Sequence, residues 1–183
     1  RDREGRYRVI SDFRREARQF GAQRQASERL AADIGLQNLA RTAGYTDPQR
    51  LGWAMEARTA PDWTQTVTAD GVTVGIALTP AGEASVTLRR GEKPLKTLPP
   101  ALKKVPEVVA LRESVTELNA TRKRMRAALE EAMIRGDHLQ PQELRDLAAH
   151  PVIAPMLRGL VWIVNEGHAG WWGGDTLHTP DGP

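Results

Sequence analysis

Cysteine is absent from this chain. Its absence excludes disulfide scaffolding, thiol chemistry and zinc sites built on thiolate, and it fits a reducing, cytoplasmic setting. Long apolar runs are missing too. The longest, Leu160-Val161-Trp162-Ile163-Val164, falls far short of the roughly 20 residues a membrane helix needs, so no membrane partner is expected. Aromatic residues make up 5% of the chain, and none lies between Trp63 and Trp162. That gap leaves no row of rings on which unpaired bases could stack. The chain starts at Arg1 rather than methionine, with no signal-peptide pattern after it. It therefore reads as part of something longer.

The short motifs of catalysis are missing as well. None of Ser11, Ser27, Ser85 or Ser114 sits in a Gly-x-Ser-x-Gly elbow. No phosphate loop and no dinucleotide fingerprint occurs. Gly91-Glu92-Lys93 lacks a following helix to aim N–H groups at a phosphate, and Pro94 removes a donor. Of the four histidines (His138, His150, His168, His178), only His168 and His178 group with a third candidate ligand, Asp175. They lack the close pairing on one element that metal sites use. His150, just before Pro151, is expected to orient a helix start rather than to move protons. No catalytic, cofactor or metal residue is assigned.

What is present suits a folded domain. Hydrophobic residues make up 40% of the 183 and charged residues 27%. The Ala- and Arg-rich balance is that expected of a high-GC bacterial source. Apolar residues at Val9, Ile10, Phe13, Ala17, Phe20, Leu30 and Ile34 predict a helix over residues 6–34, with Gly21 as a weak point and Gly35 or Gly44 as the stop. Thr46, Pro48 and Gln49 predict the start of a second helix, with Thr46 as its cap.

The period then changes to two. Residues 63–69, 72–78 and 84–90 predict a three-stranded antiparallel meander, turning at Asp70-Gly71 and Pro80-Ala81-Gly82. Pro106 opens a long helix, about 105–135, that ends at Gly136. Its seam is Val108, Leu111, Val115, Leu118, Arg122, Met125, Leu129 and Ala132, a heptad pattern. Arg122 in that seam favours packing within the chain over a zipper with a second copy, so a monomer or weak dimer is expected. Short helices follow from Pro141. Residues 160–164 are either a helix end or a strand, and the Gly-rich tail is a loop or half of a hairpin.

The fold class is thus α+β. Its expected organisation is a helical arm over 1–35, a core over 36–166 and a tail over 167–183. Trp53 and Trp63 are expected in the core. Trp171 and Trp172, neighbours in the tail, are expected to meet another part of the parent protein.

Charge is uneven. Residues 1–31 hold nine arginines against five acids. Arg89, Arg90, Lys93, Lys96, Lys103 and Lys104 face only Glu92 over residues 89–104. This second cluster is the candidate face for anions or nucleic acid, with Arg122, Lys123, Arg124 and Arg126 extending it.

Three stretches together resemble a known family. They are Gly91-Glu92-Lys93-Pro94-Leu95-Lys96-Thr97-Leu98-Pro99, the helix end Leu129-Glu130-Glu131-Ala132-Met133, and His150-Pro151 followed by Leu160-Val161-Trp162. In this order they resemble the bacterial domain of unknown function 4132, over residues 36–165, with Leu139 where the family carries an aromatic. The resemblance implies a place near the C-terminal end of a large protein similar to the molybdate metabolism regulator, often with a WGR domain elsewhere. It implies no catalytic residue, and this chain has no Trp-Gly-Arg triplet. The expected function is a non-catalytic interaction or structural module whose partners are other domains of the parent. A nucleic-acid module using the basic face is the alternative. A further alternative is an enzyme with dispersed catalytic residues centred on His150.

Overall fold

A computed structural model describes residues 2–164, 167–174 and 176–180. The chain divides into two units, Arg1–Arg58 and Thr59–Pro183. The class is α+β: the first unit is helical, and the second combines two antiparallel sheets with a long helix.

In the first unit, α1 (Arg3–Glu16) starts where Asp2 Oδ1 accepts from the Gly5 N–H at 2.7 Å. A short 3-10 turn, Ala17–Gln19, follows. Phe20 and Gly21 are then both extended, and α2 (Ala22–Ala43) folds back on α1. The helix expected over 6–34 is therefore two, parted at Gly21, where the sequence marks a weak point. The reversal changes which face is buried. Val9, Phe13, Leu30 and Ile34 of the expected stripe are exposed, while Ala32, Leu36, Leu39 and Ala40 are buried. Gly35 sits inside α2 and lets Ile10 approach; Gly44, at φ +87°, is the true stop. The cap of α3 (Pro48–Arg58) is Asp47, whose Oδ1 accepts from the Arg50 N–H at 2.9 Å, and not Thr46. Pro48 takes the first helical position, so the residue before it must be the cap. Leu39, Ala40, Leu51 and Met55 form the core, with Tyr7, Ile10 and Tyr45 packed around them. Asp47→Ala is expected to lower stability by about 1 kcal/mol, read as a smaller urea midpoint with unchanged slope.

In the second unit, β1 (Thr66–Ala69), β2 (Val72–Leu78), β3 (Ala84–Arg90) and β4 (Lys93–Pro94) form one antiparallel sheet in that order. Asp70 (φ +49°) and Gly71 (φ +70°) make the hairpin turn that the sequence predicts. The fourth strand is an addition to the expected meander. A two-residue strand ending in proline carries no alternation to read. Trp63 is exposed rather than in the core, because it lies in a turn ahead of β1.

The inner face of the sheet holds Val72, Val74 and Leu88, packed with Leu102, Val108 and Leu111. The last two belong to α4 (Pro106–Arg135), which ends at Gly136 with φ +71°. The seam packs within the chain. Val108, Leu111, Leu118, Met125, Leu129 and Ala132 are buried. At Arg122 the seam is broken: Thr121 is buried instead, and the Arg122 guanidinium donates through Nε to the Ala81 carbonyl at 3.0 Å.

Beyond α4 come α5 (Pro141–Ala148) and α6 (Ala154–Arg158). Gln140 and Glu143 close a capping box on α5. His150 is buried between the two helices in sequence, and its Nδ1 accepts from the Val152 N–H at 3.3 Å. The bond lies in the turn ahead of α6, whose N-cap, Ile153, has no side-chain cap bond. A second sheet ends the unit, with β5 (Val161–Val164), β6 (His168–Trp172) and β7 (Leu177–His178) in that order. Residues 160–164 thus resolve as turn and strand. No helix among the described residues is long and apolar enough to cross a membrane.

Candidate interaction surfaces

Alternation on the second sheet separates its apolar residues. On a strand, neighbouring side chains point to opposite faces. Trp162 is half-buried, and its indole N–H donates to the Leu157 carbonyl at 3.1 Å. Val161 and Ile163 point the other way and are 75% and 80% exposed. Val161 lies opposite Trp171, which lies opposite His178. The Trp171 ring stacks on His178 with centroids 5.8 Å apart, and half of it remains exposed.

Trp171 and Trp172, read together from the sequence, are therefore split. Trp171 joins Val161 and Ile163 on an open face, and Trp172 is buried. The Trp172 Nε1 has no partner among the described residues. Val161 and Ile163 are missing from the candidate residues because an all-apolar run shows no period. Their flanks did carry a signal: β5 is four residues long and follows a glycine-marked helix end. Among the described residues, β6 is the one strand that pairs with β5, so the other side of β5 is a sheet edge. Natural edges are usually blunted by charge or proline, and this one has neither.

The six basic candidates are all exposed, and they are not equivalent. Arg89 and Arg90 end β3, Lys93 starts β4, and Lys103 and Lys104 end a 3-10 turn, Pro100–Lys104. The Arg89 guanidinium pairs with Glu92 at 3.3 Å. Arg90 stands directly opposite Lys93. Of the expected extension, Arg124 pairs with Glu117, Arg126 pairs with Glu130, and Arg122 is held by the Ala81 carbonyl.

Of the histidine grouping in the tail, His168 and His178 are described. His178 stacks on Trp171 with its Nε2 3.4 Å from the Thr176 hydroxyl, and Asp175 lies outside the described residues. No cluster of three or more His, Asp or Glu suited to a metal ion occurs among the described residues.

Two family models match the chain. Residues 92–180 match the domain of unknown function DUF4132, and residues 1–55 match the family of unknown function DUF5724. The first match lies further toward the C terminus than the stretch on which the resemblance rested, and it takes in the whole β5–β7 sheet. The second covers the three helices of the first unit almost to their end, a similarity the motifs do not reveal. No curated protein and no solved structure matches the chain.

Proposed function

We propose that this chain is a non-catalytic binding module whose second unit docks a protein partner on the open face of β5 and β6. One observation carries the reading. Val161, Ile163 and Trp171 are exposed together on one face of a sheet, beside an edge strand with no charge to repel a partner. Scattered exposed apolar residues are ordinary, whereas a contiguous set beside a free edge marks an interaction site. The setting proposed with it is the cytoplasm of a bacterium, within a large multidomain protein similar to the molybdate metabolism regulator. The motif resemblance and the cysteine-free composition support that setting.

The test places a photo-crosslinking residue at position 171 in the full-length parent protein. A discrete adduct, either with another part of the parent or with a second protein, is expected. Val161→Thr with Ile163→Thr should abolish it while keeping β propensity. Both positions are exposed, so the urea midpoint should correspond to a change within about 1 kcal/mol. An adduct that survives the double substitution, or no adduct at all, would sink the reading. So would a stoichiometric cofactor in the purified protein.

A further inference from the structure

A second surface stands independently of the apolar face. We infer that Arg90, Lys93, Lys96, Lys103 and Lys104 form a rigid basic ridge that binds the phosphate backbone of a duplex nucleic acid.

The ridge is pinned from beneath. Leu102 is buried in the core of the first sheet, and Leu95, Leu98 and Val105 pack against it. The Leu95 N–H also donates to the Leu88 carbonyl at 2.8 Å, which carries the pairing past β4. Lys96, Lys103 and Lys104 lie between these apolar anchors in the sequence and are exposed. A merely solvated charge run needs no such anchoring.

The five cations are also uncompensated. None of their side chains has a hydrogen bond or ion pair among the described residues. Arg89 differs, because it pairs with the exposed Glu92, and it is left out of the set. Arg90 and Lys93 lie directly opposite each other across two strands. Like charges so placed repel, and a bound anion would relieve that repulsion.

The chemistry of the ridge selects the polyanion. It has no aromatic side chain, so it offers no stacking platform for unpaired bases. Its leucines are turned inward, so it has no apolar wedge for a lipid surface and no anchor of the sort protein interfaces use. What remains is spaced positive charge, and duplex nucleic acid presents one negative charge per roughly 1.7 Å of axis.

The experiment measures binding of the 183-residue chain to a short labelled duplex across a salt series. With four or five phosphates neutralised, affinity should fall about 150- to 500-fold between 50 and 200 mM salt. Lys103→Glu with Lys104→Glu should remove most binding at low salt. Arg145→Glu with Arg158→Glu makes the same charge change on exposed positions outside all the basic candidates, and it should leave binding within a few-fold. Circular dichroism checks that each variant is folded. Four results would overturn the inference: no duplex binding at low salt, binding indifferent to salt, equal loss in both double variants, or a preference for anionic vesicles or polyglutamate over the duplex.

Discussion

Gly82→Val is expected to destabilise the second unit by about 4 kcal/mol, with Gly82→Ala costing roughly 3. Two effects add. Gly82 has φ +76°, where an L side chain is strained by about 1–2 kcal/mol. A Cβ there would also lie 2.9 Å from the Val152 carbonyl oxygen and 3.3 Å from Pro155 Cγ. The first of these is backbone and cannot swing aside. The turn has little freedom to move away. The Gly82 N–H donates to the Thr79 carbonyl at 2.8 Å, and the neighbouring Ala81 carbonyl accepts from Arg122. Gly136 supplies the control: its φ is +71°, with nothing within 4 Å of the added Cβ. Gly136→Ala should show the conformational cost alone. The difference between the two alanine variants in urea midpoint then measures the contact with the segment after His150. Equal midpoints would show that the turn and that segment are not packed as described.

Asn119→Ala is expected to cost about 2–3 kcal/mol, since two backbone groups lose their partner together. The Asn119 amide donates to the Ala84 carbonyl at 2.8 Å, and its Oδ1 accepts from the Ala84 N–H at 2.9 Å. Ala84 is buried and begins β3. The short β4 pairs only with the far end of β3. The side chain thus supplies the pairing that a longer fourth strand would have supplied, and it ties α4 to the sheet. Amide hydrogen exchange at Ala84 should accelerate in the variant. Asn119→Asp separates the two bonds. Near neutral pH a carboxylate still accepts from the N–H but faces the carbonyl with a second acceptor, so stability falls. Below about pH 4 the protonated carboxyl can donate again, and the deficit against the parent should narrow. A deficit that widens on acidification would rule out the proposed pairing.

Neither residue announces itself in the sequence. Gly82 reads as part of a turn, and it is one, but the turn says nothing of what approaches it. Asn119 sits mid-helix among residues that look like a solvated face. Its role depends on where β3 starts and β4 stops, 35 residues away.

The local signals were legible where one residue type has one solution. Asp70-Gly71 dictated the hairpin, because both turn positions need positive φ. Pro106 and Gly136 bracketed the 30-residue helix, because proline suits its first turn and glycine its left-handed end. The alternation over 72–78 and 84–90 set the buried face of the first sheet. Tertiary structure decided the rest, because it depends on which surfaces meet. The fold-back at Phe20 and Gly21 left Val9, Phe13, Leu30 and Ile34 of the helical stripe exposed while burying Ala17. Pairing of β5 with β6 turned Val161 and Ile163 outward and divided Trp171 from Trp172. Arg89 pairs with Glu92, whereas the side chains of five other cations have no partner among the described residues. Periodicity reports that one face of an element is apolar. Only the packed chain decides whether that face is covered, and by what.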